Sequence, residues 1–104
     1  MIAARTYSLS SQAIDDLIGI YKFLEDKNPA AAKRLISSIE QKIQNMAGSG
    51  HTGVARDCIS KGLRALPYRD RCIYFRVKDT ELRILRIVHG HQHIEADDII
   101  EEEN

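Results

Sequence analysis

Three histidines recur at every second position near the end of the chain: His89, His91 and His93. On one continuous strand they would share a face, an arrangement that can hold zinc or nickel with an open fourth position. Gly90 interrupts that strand, and no carboxylate is spaced to orient the imidazole rings. We therefore expect no metal site. His89 alone is a candidate general acid–base for RNA cleavage, because imidazole titrates near neutral pH.

Five arginines on strand-like segments form a second group of candidates. They are Arg64, Arg71, Arg76, Arg83 and Arg86. A guanidinium binds a carboxylate or a phosphate through two parallel N–H donors, so this group favours an acidic protein segment or a nucleic acid as partner. Tyr68 and Tyr74 are available to stack on bases, whereas Phe75 is expected in the core. The alternative is that these arginines lie at sheet edges and block aggregation.

The composition excludes several classes of protein. The chain has 104 residues, 43% hydrophobic and 29% charged, which predicts one globular domain. No apolar run reaches the ~20 residues of a membrane span, and the N-terminus lacks a signal-peptide pattern. Cys58 and Cys72 are too few for a disulfide framework or a four-cysteine zinc site and suit a reducing compartment. With no glycine-rich phosphate loop and no serine triad, we expect a cytoplasmic protein without a cofactor.

The net charge of zero conceals an asymmetric distribution. Residues 95–103 contain six acidic side chains and no basic one, which leaves nine acidic against 15 basic residues in the rest of the chain, a net charge of +6. A basic body with an acidic tail indicates an anionic partner, or an acidic protein segment that neutralises the body. The alternative is an ordinary solvated surface whose acidic tail favours solubility.

Apolar spacing predicts a first helix behind a short strand at residues 3–9. Ser10 or Ser11 can cap this helix, because a serine hydroxyl accepts from a free N–H of the first turn. Asp15 and Asp16 lie near the positive end of the helix dipole, off the apolar stripe. That stripe, which we expect to be buried, consists of Ile14, Leu17, Ile18, Tyr21 and Leu24.

A second helix follows directly, with Asn28 as its cap and Pro29 in its first position, where the missing N–H is tolerated. Its apolar face consists of Ala32, Leu35, Ile36, Ile39, Ile43 and Met46. Gly48 and Gly50 are expected to end the helix and to open a loop over residues 48–62. Two consecutive amphipathic helices with a tight join predict an antiparallel hairpin.

After Gly62 the apolar period changes from 3.6 to 2, which predicts strands over residues 63–67, 72–77 and 82–89. Short polar connections make neighbouring strands antiparallel. The last strand is apolar on both faces apart from two arginines, so we expect it inside the sheet. The predicted fold class is α+β, two-layer: an N-terminal strand and a helical hairpin packed on an antiparallel sheet, in the order β-α-α-β-β-β.

Specific segments carry a resemblance to a known family. They are GLRALP at 62–67, IYFRV at 73–77 and ILRIVHG at 84–90, preceded by Ala13-x-x-Asp16-Leu17 and by NPAAA at 28–32. In this order, over about residues 5–93, they resemble toxins of the ParE branch of the RelE/ParE superfamily. The resemblance implies a domain over residues 1–94, followed by an acidic tail over 95–104.

Membership would imply the toxin of a type II toxin–antitoxin pair, of the kind that stabilises plasmids. The expected partners are a small ParD-like antitoxin that holds the toxin inactive and DNA gyrase as target, with operator DNA reached only through the antitoxin. The assembly would be a hetero-oligomer with the antitoxin, or a homodimer, without membrane contact. The residues expected to contact antitoxin or target are Arg64, Arg71, Arg76, Arg83, Arg86 and His89.

The RelE branch of the same superfamily instead cleaves messenger RNA on the ribosome. A resemblance of this chain to the RelE branch would assign catalysis to His89, Arg71 and Arg76. However, Cys72 stands where a catalytic arginine would begin the second strand of the meander, and no tyrosine follows Tyr74. We therefore predict a toxin that acts by binding rather than as an enzyme. A third alternative is a degenerate member that binds an antitoxin and poisons nothing.

Overall fold

The computed structural model describes residues 6–49, 53–78, 80–90 and 92–99. A short strand, β1 (Thr6–Leu9), precedes two helices, α1 (Ser11–Glu25) and α2 (Pro29–Ser49). The later elements are β2 (Val54–Ala55), β3 (Arg64–Tyr68), β4 (Arg71–Lys78), β5 (Glu81–His89) and a 3₁₀ turn at Ala96–Asp98. The predicted α+β order is confirmed, with β2 as one additional strand.

The start of α1 is fixed by a buried serine. The Ser10 hydroxyl accepts a hydrogen bond from the Ala13 N–H at 3.1 Å, as predicted for the cap. The same hydroxyl donates to the Leu85 carbonyl of β5 at 2.9 Å. Ser10 therefore both starts the helix and attaches that start to the sheet.

The second helix begins as predicted and ends later than predicted. The Asn28 Oδ1 accepts from the Ala31 N–H at 3.1 Å, and Pro29 is the first helical residue. The helix continues through Gly48 to Ser49, so Gly48 does not help to end it as predicted, and Gly50, the other predicted stop, lies outside the described residues. A helical glycine costs only about 1 kcal/mol, which the burial of Met46 and Ala47 in the last turns offsets.

The five strands lie in the order β1-β5-β4-β3-β2. The predicted antiparallel meander of β3, β4 and β5 is confirmed, and β5 lies inside the sheet as predicted. The sheet as a whole is mixed rather than antiparallel, because β1 pairs with β5 in parallel. The chain between these parallel neighbours contains both helices and strands β2 to β4, which is longer than the crossover that a parallel pair requires.

Apolar residues cover both faces of this sheet. The helix-side core contains mainly Ala13, Ile39, Ile43, Met46, Ile73, Phe75, Leu82, Ile84 and Ile87. The core on the other face, called here the second face, contains Leu63, Ala65, Cys72, Tyr74, Leu85, Val88 and Ile94. Strand alternation therefore determines which layer each functional side chain faces.

Helix α1 is rotated relative to the predicted stripe. Ile14 and Ile18 were expected in the core and are 47% and 46% exposed. Asp16 was expected outside and lies largely buried against β5, with 16% of its side chain exposed. The helix turns its Ala13–Asp16–Leu17 side inward because an arginine of β5 pairs with the carboxylate.

The beginning of the predicted acidic tail is packed on the second face. Ile94 is 4% exposed and Ile99 packs against the same core. The Glu95 and Asp98 side chains cap the intervening 3₁₀ turn reciprocally. Among the described helices, none is long and apolar enough to cross a membrane.

Candidate functional site

Arg86 is held in an internal ion pair between layers. Its Nε and Nη2 donate to the two Asp16 carboxylate oxygens at 2.8 and 3.1 Å, and its Nη1 donates to the Asp98 carbonyl at 2.8 Å. Asp16 also accepts from the Ile87 N–H at 2.9 Å. The hydrogen bonds that Arg86 donates to Asp16 raise the pKa of Arg86 above its usual value. Arg86 thus ties α1 and the C-terminal turn to β5, and its Nε, Nη1 and Nη2 each donate to an internal acceptor.

Arg76 and Arg83 are cross-strand neighbours on the second face. Arg76 donates to the Lys61 carbonyl and, at 2.7 Å, to the Ser60 hydroxyl. Arg83 donates to the Ser8 hydroxyl at 3.0 Å. Two cations directly opposite each other repel, so an anionic group placed between them would stabilise this half-buried pair.

Arg64 lies apart from that pair. Its cross-strand partner is Phe75, which faces the helix-side core, and its Nη2 donates to the Gly53 carbonyl at 3.4 Å. The side chain thereby fixes the loop that leads into β2. Arg64 and Arg76 are on opposite faces of the sheet, so one ligand group does not contact both.

Arg71 and His89 lie together at one end of the sheet as cross-strand partners. They line a pocket of about 380 Å³ between α1 and β5, called here the Arg71 pocket, whose other wall includes Gly19, Ile20 and Phe23. The Arg71 side chain is 14% exposed. Its Nε is buried and, among the described residues, has no hydrogen-bond partner. The pocket therefore combines an apolar wall with an incompletely paired cation.

Asp70 is the charged neighbour of both basic side chains. Its carboxylate lies 3.9 Å from the Arg71 Nη1 and 4.0 Å from the His89 Nε2. Both distances exceed that of a hydrogen bond, and Asp70 is 67% exposed. These contacts leave the buried Arg71 Nε available to a stronger acceptor.

The structure separates the three residues proposed for RNA cleavage. Arg71 and His89 face the helix side, because Arg71 alternates in phase with the core residue Ile73 on β4. Arg76, five positions after Arg71, faces the second face. One scissile phosphate would not reach all three side chains.

The histidine series forms no metal centre in the described residues. His93 is exposed and lies 3.4 Å from Glu95, and His91 lies outside the residues that the structure describes. Across 6–49, 53–78, 80–90 and 92–99, no cluster of three histidine, cysteine or acidic side chains is arranged to hold a metal ion.

An apolar cleft between the helices was not anticipated from the sequence. The cleft, called here the hairpin cleft, has a volume of about 340 Å³. It is lined by Ile14, Leu17, Ile18, Tyr21 and Ile36, with Lys22, Glu25 and Glu40 at its rim. The apolar stripe of α1 that we expected in the core lines this cleft. The stripe is wider than one packing face requires, and this width was the signal in the sequence that pointed to the cleft.

Comparison with known proteins agrees with this geometry. A family model described as the ParE toxin of the type II toxin–antitoxin system parDE matches residues 7–94. The chain is also similar to a solved structure described as the chromosomal ParDE toxin–antitoxin system from P. aeruginosa. That match has 25% identity and a TM-score of 0.70, and it covers 82% of this chain and 95% of the other. None of the curated proteins matches this chain significantly.

Proposed function

This chain belongs to the ParE toxin family of type II toxin–antitoxin systems, and on that premise we propose that it inhibits DNA gyrase by binding it and is neutralised by a cognate antitoxin. Binding, rather than RNA cleavage, is supported above all by one observation. Arg71 and His89 lie on the helix side of the sheet, whereas Arg76 lies on the second face. The toxin then acts where gyrase works, in the cytoplasm, and needs no cofactor.

The antitoxin, a small ParD-like protein, docks in the hairpin cleft. Isolated monomers rarely leave large aliphatic side chains grouped on one helix face, and Ile14 and Ile18 are each nearly half exposed. A helix with its own apolar stripe fits between two such helices as it would in a bundle. The resulting assembly is a hetero-oligomer, and operator DNA is contacted only through the antitoxin.

Gyrase contacts are assigned to the Arg76 and Arg83 pair. Complementary charge raises association rate and specificity more than affinity, so loss of one arginine should slow binding. Arg83→Gln is the test variant, with Lys33→Gln, an exposed residue of α2, as the control of equal charge change. Slower gyrase binding in the first variant alone supports the assignment, and equal rates in both contradict it.

Expression of the chain alone in bacteria tests the function. Growth, cell shape, the DNA-damage response and total translation are scored after induction. Gyrase inhibition predicts growth arrest with filamentous cells and a DNA-damage response while translation continues. An absence of growth arrest contradicts toxicity and leaves an antitoxin-binding relic.

The second candidate, a ribosome-dependent mRNA endonuclease, is favoured by the adjacency of His89 and Arg71. It predicts a rapid loss of translation after induction. Under this candidate His89→Ala abolishes messenger RNA cleavage, whereas His93→Ala, which changes an exposed histidine outside the pocket, leaves cleavage intact. Continued translation in the wild type excludes it.

A further inference from the structure

Helix α1 is flanked on both sides by a concave surface. On one side lies the hairpin cleft, and on the other lies the Arg71 pocket. The adjacent residues Ile18 and Gly19 are both exposed, and they line the cleft and the pocket respectively. A chain that leaves the cleft and crosses α1 at this point therefore enters the pocket directly.

Gly19 has no internal reason to be glycine. It is in the middle of a helix, where glycine is less favourable than alanine. A Cβ placed on it meets no described atom within 4 Å, so the packing of the toxin itself does not require its absence. A glycine at this position is explained if the backbone of another chain approaches α1 closely here, because small residues allow such an approach where chains cross a helix.

The pocket beyond Gly19 indicates what enters it. Phe23, on its lip, is 61% exposed, and Ile20 and Ile87 form part of its wall. Arg71 adds a guanidinium whose Nε has no acceptor among the described residues and whose Nη1 lies 3.9 Å from the Asp70 carboxylate. Asp15 and Asp16 also line the pocket, and Asp16 is already paired with Arg86. An apolar side chain next to a carboxylate would satisfy both parts of the pocket.

We propose that one continuous antitoxin segment lies in the hairpin cleft, crosses α1 over Gly19 and places an acidic side chain, flanked by an apolar one, on Arg71. This inference rests on the proposed neutralisation by an antitoxin and extends it from one side of α1 to both. Because of this crossing, recognition depends on the close approach of the antitoxin backbone to α1 and on the acidic side chain at Arg71, as well as on apolar burial in the cleft. Specificity increases because a mismatched antitoxin leaves the buried Arg71 Nε without an acceptor.

The variant Gly19→Leu is tested by two measurements, the melting temperature of the free toxin and its affinity for the antitoxin. Gly19→Leu should not lower the melting temperature of the free toxin, because leucine is the better helix former. It should weaken binding of the co-expressed cognate antitoxin at least about tenfold in calorimetric titration. Gly48→Leu is the matched control, since Gly48 is also helical, exposed and open at its Cβ, and its affinity should be unchanged.

The charge is tested separately. Arg71→Gln should weaken the antitoxin at least about tenfold, whereas Arg69→Gln, an equal charge change on an exposed neighbour, should not. Unchanged affinity in either Gly19→Leu or Arg71→Gln overturns the single crossing segment. If the antitoxin does not bind the wild-type toxin, the proposed function itself fails, so the two failures are distinguishable.

Discussion

Replacing Asp16 by alanine should be among the most damaging single changes on α1. The substitution removes both acceptors of the Arg86 Nε and Nη2 donors, at 2.8 and 3.1 Å, and the acceptor of the Ile87 N–H. The two charged side chains are only 16% and 15% exposed. Alanine thus leaves a largely buried cation without its carboxylate.

The expected cost can be bounded from these contacts. Breaking a buried ion pair by removing one partner costs about 3–5 kcal/mol. Because water reaches about one sixth of this pair, the lower end applies, and we expect Asp16→Ala to lower the free energy of unfolding by about 3 kcal/mol. For a domain of this size that corresponds to a melting temperature lower by roughly 12–24 °C.

Urea denaturation followed by circular dichroism measures this loss. Asp15→Ala is the matched control, because Asp15 is the exposed neighbour on the same turn, and it should stay within about 0.5 kcal/mol of wild type. Asp16→Asn keeps one oxygen for the backbone N–H and should fall between the two. If Asp16→Ala and Asp15→Ala unfold at the same urea concentration, the ion pair does not hold α1 on the sheet.

Three further changes test other parts of the fold. Ser10→Ala removes both the α1 cap and a hydrogen bond to β5, and it should cost about 1–3 kcal/mol in thermal unfolding; no measurable loss would contradict the capping role. Gly53→Ala should cost roughly 2–4 kcal/mol, since Gly53 has φ +62° and its Cβ would lie 2.6 Å from a carbonyl oxygen of β3. Gly48→Ala, at an open position, should not destabilise, and equal stability of the two variants would refute the steric argument. Burial raises the pKa of the Cys72 thiol, whereas Cys58 is exposed. Ellman's reagent should therefore label one thiol rapidly in the native protein and none rapidly in Cys58→Ser, while rapid labelling of that variant would place Cys72 at the surface.

The main elements could be predicted because their signals are local. Ser10 caps α1 and Asn28 caps α2 in the structure, as their side chains and the following apolar spacing indicate. The change of period after Gly62 predicted three strands, and each appears within about one residue of its expected bounds. Strand β2, by contrast, has two residues, and its pairing with β3 gives no periodic signal.

The orientation of α1 could not be read from its own residues. Apolar spacing defined one broad face of the helix that contains Ile14 and Ile18. In the structure, one part of this face packs toward the sheet and another part lines the hairpin cleft. The inward position of Asp16 depends on Arg86, which is 70 residues away in the chain. A carboxylate off an apolar stripe is ordinarily solvated, so only the tertiary partner identifies it.

Part of the candidate site could be predicted from the sequence. Arg76 is five positions after Arg71 on one strand, and this odd offset already places the two side chains on opposite faces. The pairing of Arg71 with His89 depends instead on the register of β4 against β5. No local motif encodes the pocket that forms where this pair meets Gly19 of α1.

A supercoiling assay with purified DNA gyrase tests the central proposal most directly. The toxin is added in increasing amounts, alone and after preincubation with its cognate antitoxin, and its fold is verified by circular dichroism beforehand. We expect supercoiling to fall as toxin approaches the molar amount of gyrase and to recover when antitoxin is present. Full supercoiling at a large molar excess of folded toxin would contradict it.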